Sequence, residues 1–232
     1  MLIVLFCASA QAWETLSNTS GSEIRWQVMP IEFGINPDNE AGLDEAGVEA
    51  SIRRAAMAWA EVPATDIEFD VSMTDIAVTD HDGQATVYFR DDWQLDPELL
   101  ALTSNWSTSE GQIISFDVAI NTHDHEWSLD GESGLTDLQN TMAHEFGHVL
   151  GLGHELQETE ATMWSSSPRG ETIKRDLHAL DELGAIYLYP TEEPEETTPL
   201  GCSSAPVVGF WLLGLMLLRR RSDPLEGGST CC

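Results

Sequence analysis

The segment His144-Glu145-Phe146-Gly147-His148-Val149-Leu150-Gly151-Leu152-Gly153-His154 constrains this chain more than any other stretch. Residues four apart on an α-helix lie about 40° apart around its axis, so a helix through 144–148 turns His144 and His148 toward one point. Glu145 sits next to the first imidazole, within reach of a water at that point. Gly151 stands three residues after His148, where a helix can end in a left-handed turn that a Cβ disfavours. Such a turn sends the chain back, so that His154 supplies a third nitrogen. Three protein nitrogens with an open fourth position are the pattern of a catalytic zinc, whereas a structural zinc is closed by four protein ligands. The flanks fit a helix entering a core: Thr136 or Asp137 is placed to cap it, and Leu138, Met142, Phe146 and Val149 form an apolar helical stripe.

The body of the chain reads as mixed strands and helices. Ile24, Trp26 and Val28 alternate with Arg25 and Gln27, which predicts a half-buried strand running on through Ile31 and Phe33. Val48, Ile52, Ala55 or Ala56, and Trp59 repeat at helical spacing, with Pro63 just beyond. Ile67, Phe69 and Val71 predict a second strand, and Val87 with Phe89 a third. Ile114, Phe116, Val118 and Ile120 alternate with Ser115, Asp117 and Ala119, a period of two. A last helix is expected to carry Leu177, Leu180 and Leu183. Strands and helices do not alternate regularly, so the fold class is α+β, a twisted mixed sheet with helices packed beneath it. Residues 13–190 are long enough for one such domain.

The spacing H-E-x-x-H-x-x-G-x-x-H is the metzincin signature, whose second half is a methionine turn under the metal. Met163, in Ala161-Thr162-Met163, is the candidate. From His144 to His154 the chain resembles the matrixin-type metzincins, the matrix metalloproteinases and their bacterial relatives. Ala55–Val62 with Ile67 and Phe69 is similar to the first helix and next strand of that fold, Gly111–Asn121 to its edge strand, and Asp176–Pro190 to its closing helix. The resemblance covers about residues 22–190. It departs at Glu155, which is more astacin-like, and at Met163-Trp164-Ser165, where matrixins usually have Met-Tyr-Pro.

The resemblance implies a zinc endopeptidase acting on protein or peptide substrates, with His144, His148 and His154 on the metal and Glu145 as general base. The strand 113–120, if it lies at the sheet edge over the cleft, would bind substrate as an added antiparallel strand; a plain core strand is the other reading, and the sequence leaves both open. Matrixins often carry further metals. His123 and His125 around Asp124 are the candidates for a second zinc, beside a plain solvated loop. The Asp-rich runs at Asp80, Asp82, Asp91 and Asp92 are the candidates for structural calcium, although none matches an EF-hand loop. His81 and His178 read as surface histidines.

Forty acidic against ten basic residues give a formal net charge of -30, which excludes nucleic acid as a natural partner because phosphates would be repelled. No Cys lies between Cys7 and Cys202, so the domain holds no internal disulfide. Residues 1–12 read as a signal peptide, with Leu2–Phe6 as apolar core and cleavage expected after Ala12. Residues 191–201 form an acidic linker. Residues 202–221 combine Cys202, an apolar run from Ala205 to Leu218 and Arg219–Arg221, similar to the C-terminal sorting tails of myxobacterial surface proteins. On that resemblance Cys202 is the sorting or modification residue; a plain membrane anchor is the alternative. Residues 222–232, ending in Cys231-Cys232, have no counterpart in such tails. The expected protein is monomeric and either secreted or held at the cell surface. The contrasting class is a non-proteolytic surface-binding module whose zinc is structural; the intact Glu145 argues against it.

Overall fold

The computed structural model describes residues 13–191 and the strand 226–231. A six-stranded mixed sheet runs β2-β1-β3-β5-β4-β8, built from β1 (Ile31–Ile35), β2 (Phe69–Met73), β3 (Thr86–Arg90), β4 (Ala101–Ser107), β5 (Ile113–Asn121) and β8 (Glu226–Cys231). The pairs β1–β2, β1–β3 and β3–β5 are parallel, while β4 runs antiparallel to both β5 and β8. A small parallel pair, β6 (Trp127–Ser128) and β7 (Thr136–Asp137), lies just before the second helix. The α+β reading therefore holds, with a mixed sheet and helices packed against it.

Helix α1 (Glu45–Ala60) starts where the Asp44 side chain accepts from Gly47 N–H and buries Val48, Ile52, Ala55, Ala56 and Trp59, the spacing expected from sequence. Helix α2 (Leu138–Val149) packs against both α1 and β4, and all twelve of its residues are buried. Phe146 packs 5.3 Å from Phe33 and 5.5 Å from Phe69, ring centre to ring centre. Phe33 in turn meets Phe116 of β5 at 5.7 Å. This aromatic layer sets the height of α2 above the sheet. Two indoles fix it along its axis: Trp59 Nε1 donates to Ala143 O at 2.8 Å and Trp26 Nε1 to Val149 O at 2.9 Å.

Four sequence expectations are corrected. The stretch 24–28 is no continuous strand. Its one backbone pairing with the rim of the sheet is a bridge between Arg25 and Gln112, and β1 begins after Pro30, which has no N–H to give a ladder. The strand 113–120 is not the sheet edge, because β5 is flanked by β3 and β4 and buried on both faces. The strand outside it is β4, which its polar sequence Ala-Leu-Thr-Ser-Asn-Trp-Ser had hidden. The closing helix α3 (Ala179–Leu188) buries Asp181, Gly184, Ala185 and Leu188, while Leu183 is exposed. It docks through its small residue Gly184, where an added Cβ would lie 2.9 Å from Leu152 Cδ2. His178, finally, is no idle surface residue: it caps α3, its ring accepting from Leu180 N–H while Asp181 accepts from its own N–H.

Among the described residues no helix is long and apolar enough to cross a membrane. The expected signal segment, the linker beyond Thr191, Cys202 and the apolar run 205–218 lie outside the described residues.

Asp117 of β5 fastens the turn before β3. Its Oδ1 accepts from Thr86 N–H at 3.0 Å and its Oδ2 from Asp80 N–H at 3.1 Å. Burial outweighs these donors and lifts its pKa from 3.8 to about 7. A folded pKa above the unfolded one means a contribution to stability that is full below pH 3.8 and lost as pH rises through about 7. A carboxyl resonance of Asp117 titrating near neutrality, and a smaller fall in unfolding free energy over that range for Asp117→Asn than for wild type, are the expected results. A carboxyl titrating near 4, the ordinary aspartate value, would refute them.

Candidate active site

Helix α2 is anchored before it presents any chemistry. Asp137 caps it, Oδ1 accepting from Asn140 N–H at 2.9 Å, and the same oxygen accepts from Arg175 Nε at 2.8 Å. Of the two caps left open by sequence, Asp137 is the one used.

His144 and His148 sit one turn apart with ring centres 4.7 Å apart. His144 Nδ1 lies 2.6 Å from Thr162 O, and His148 Nδ1 lies 2.8 Å from Leu152 O. A carbonyl oxygen only accepts, so both Nδ1 atoms carry the proton and both Nε2 atoms present lone pairs. Those two Nε2 atoms stand 3.1 Å apart. Two neutral rings with their protons committed elsewhere have none to place between them, and such a pair of lone pairs is suited to a shared cation. Burial pushes the His144 pKa well below the usual imidazole value, with His148 adding to the effect, and burial pushes His148 down to about 3. Both rings are therefore neutral at pH 7, the form that binds metal.

The third imidazole arrives as the glycine predicted. Gly151 has φ +94°, and a Cβ there would lie 2.2 Å from Ile24 O. The reversed chain brings the His154 ring to 5.3 Å from that of His144 and 4.9 Å from that of His148. His154 is half-buried, and burial lowers its pKa while Glu14 opposes the shift. The N-terminal residues brace this turn: Leu16 N–H donates to Gly151 O at 2.7 Å and Gly153 N–H to Glu14 O at 2.8 Å. Nitrogens of the three rings lie within 4.8 Å of one another, and the triad could hold a metal ion. Its all-nitrogen donors, fixed tautomers and depressed proton affinity suit zinc.

Glu145 is fully buried on the same helix, with the Thr103 hydroxyl of β4 hydrogen-bonded to its Oε2. Met163 lies directly beneath α2. An added Cβ at Gly147 would stand 2.1 Å from its sulfur and 3.0 Å from the Trp59 ring. The loop carrying Met163 is tied down by Asp181, which accepts from Thr162 N–H at 2.7 Å and from Met163 N–H at 3.1 Å. Because Thr162 O in turn accepts from His144, a carboxylate on α3 orients the first imidazole through one residue.

Beside His144 a cavity of about 630 Å³ opens between the start of α2 and the segment Trp164–Arg169. Lys174 pins that segment: its buried ammonium donates to Trp164 O at 2.8 Å and to Ser166 O at 2.5 Å. Asp181, Lys174 and Thr103 escaped the sequence reading. The spacing of His178 and Asp181 was the one available signal, since it fits a capping box.

The remaining candidates do not join the imidazole triad, although Asp124 and His125 line the cavity beside His144. His123 Nδ1 and His125 Nε2 each lie 2.9 Å from a backbone carbonyl, of Asp91 and Pro97. Asp92 pairs with Arg90 and Asp82 caps the Gln84 N–H. Among the described residues, the triad is the one group of three or more His, Cys, Asp or Glu side chains close enough to share an ion. His81 is exposed, as expected, and stacks on Trp106.

Gly147→Ala is expected to destabilise the fold by about 1–3 kcal/mol, the usual cost of forcing a methyl into a filled core. Thermal unfolding would register this as a lower Tm, and zinc titration as weaker binding, because the displaced neighbour is Met163. Unchanged Tm and affinity would mean that the two elements do not touch as described.

The matrixin family profile matches residues 25–190, the span from the bridge at Arg25 to the end of the closing helix. Metalloendoproteinase 1-MMP of Arabidopsis thaliana is 28% identical over 173 residues, 71% of this chain and 44% of the relative. Metalloendoproteinase 4-MMP of the same plant is 31% identical over 155 residues, 64% of this chain and 42% of the relative. The chain thus spans less than half the length of these relatives. The match takes in all three imidazoles, Glu145 and strands β1 to β5 of the sheet, and on it the chain belongs to the matrixin family of peptidases.

Proposed function

We propose that this chain is a zinc-dependent endopeptidase hydrolysing peptide bonds of extracellular proteins, with His144, His148 and His154 holding the metal and Glu145 as general base. One observation carries the reading: three imidazoles converge with two Nε2 atoms 3.1 Å apart, and the helix that brings them also carries a buried carboxylate beside the first. Family membership and the two plant metalloendoproteinases support it.

When bound, zinc supplies positive charge that lowers the pKa of a water from about 15.7 toward 7 and polarises the scissile carbonyl. The protein's own residues do the rest. Glu145 takes the proton from the attacking water on a carboxylate oxygen and returns it to the departing amine. The Nδ1 protons of His144 and His148 stay committed to Thr162 O and Leu152 O, which holds both rings in the orientation the metal would need. The substrate runs as an antiparallel strand along β4, where Leu102–Ser107 already pair with the chain's own β8. A substrate side chain enters the cavity beside His144. Export through residues 1–12, attachment through the tail at Cys202 and a monomeric state complete the proposal, and these rest on the sequence patterns alone.

The test is zinc content and cleavage of an unfolded protein by the full chain, with and without added calcium, for wild type beside Glu145→Ala. Stoichiometric zinc in both, with turnover in the variant reduced about 10²- to 10⁴-fold, is the expected result. Full activity in Glu145→Ala would remove the base, and absence of zinc from the folded protein would remove the mechanism altogether. Deleting residues 222–232 is expected to lower KM, because a substrate strand no longer has to displace β8. An unchanged KM would mean that substrate does not bind along β4.

A further inference from the structure

The inner face of β4 is polar and buried, an arrangement that a supporting strand has no need of. Thr103 is fully buried and Asn105 is 2% exposed. Both point at α2: the Thr103 hydroxyl donates to Glu145 Oε2, and Asn105 Nδ2 donates to His148 O at 2.9 Å. We propose that Thr103 is a positioning residue for Glu145, one that sets the plane of its carboxyl group. The inference rests on the general-base reading above and deepens it.

The physical argument starts from the torsion that ends a glutamate side chain. Rotation of the carboxyl about its last bond is broad and roughly two-fold, so burial alone leaves the direction of the oxygens open. A hydroxyl has one proton to donate, and here it goes to Oε2, the same hydroxyl lying 3.4 Å from the main-chain oxygen of Glu145. Holding one oxygen fixes the line of the other. The donor's location matters as much as its chemistry. Thr103 stands in the strand proposed to hold the substrate backbone, and it pairs with Thr230 of β8 on the outer side. One residue therefore connects the line along which the scissile bond lies to the group that moves its protons, so that base and substrate share a common reference. Because base catalysis depends on sub-ångström placement, the expected loss falls on turnover and not on binding.

The experiment compares the full chain as wild type, Thr103→Val, Thr103→Ala, Thr103→Ser and Glu145→Ala, reading kcat, KM and bound zinc with a peptide substrate. Removing a hydrogen bond to a charged group should lower kcat roughly 10- to 100-fold in the Val and Ala variants, with zinc retained and KM within about twofold of wild type. Thr103→Ser restores the hydroxyl and should recover most of the kcat. Ser and Ala differ by the hydroxyl alone, so the gap between them decides the matter even if the Val variant does not fold. Equal kcat in the Ser and Ala variants would overturn the proposal, as would a loss confined to KM. If Glu145→Ala is inactive while every Thr103 variant turns over like wild type, the positioning role alone fails. If Glu145→Ala is fully active, the general-base reading fails with it.

Discussion

A helix buried along its whole length must bring every polar group it carries to a partner, since an unsatisfied buried donor or acceptor costs about 1–3 kcal/mol. Helix α2 carries six such side chains: Gln139, Asn140, Thr141, His144, Glu145 and His148. Gln139 accepts from Arg54, Asn140 holds Ser167 and the N–H of Lys174, and Thr141 donates back to Asp137 O. His144 and His148 give their Nδ1 protons to carbonyls of the loops that follow, and Glu145 takes the hydroxyl of Thr103. Apart from the local partners Asp137 and Leu152, these groups come from distant parts of the chain. The requirement to satisfy α2 therefore fixes where β4, the Met163 loop and the segment at Lys174 can lie. The orientation of the imidazoles is a consequence of the same requirement.

Charge is distributed on the same logic. Only seven Lys and Arg residues fall within 13–191, in a chain with forty acids, and three of them brace α2 or its surroundings. Arg54 and Arg175 bind its first turn, and Lys174 holds the wall of the adjoining cavity. Arg175 pairs with a fully buried Asp137 side chain, a contact that keeps water away from one charge and so counts for more than an exposed pair. Arg53 with Glu49 and Arg90 with Asp92 are surface pairs of the weaker kind.

The sheet explains why part of the fold stayed hidden in the sequence. Strands β1, β3 and β5 contribute aromatic and aliphatic side chains to the core, and their alternation was legible. Strand β4 contributes Thr103 and Asn105 to a buried polar seam, so that its pattern reads as a loop. The sequence leaves β5 as either edge or core strand, and the fold places it inside the sheet. The closing helix misled in the opposite sense. Its leucines suggested the buried face, whereas Gly184 and Ala185 dock, because close approach to Leu152 and Trp13 leaves no room for longer side chains.

What the sequence determined by itself was local: the helical spacing of His144 and His148, the left-handed turn at Gly151, the return to His154 and the stripe of Leu138, Met142, Phe146 and Val149. These follow from the geometry of one helix and one glycine, and neighbouring residues suffice to fix them. The tertiary structure alone decided which tautomer each imidazole adopts, which carboxylate holds the Met163 loop, which lysine walls the cavity and which hydroxyl meets Glu145. Thr162 lies 18 residues from His144, Asp181 lies 19 from Thr162, Lys174 lies 10 from Trp164, and Thr103 lies 42 from Glu145. Hydrogen bonds of that kind depend on position in space and leave no period in the chain, so only the packed fold could assign them.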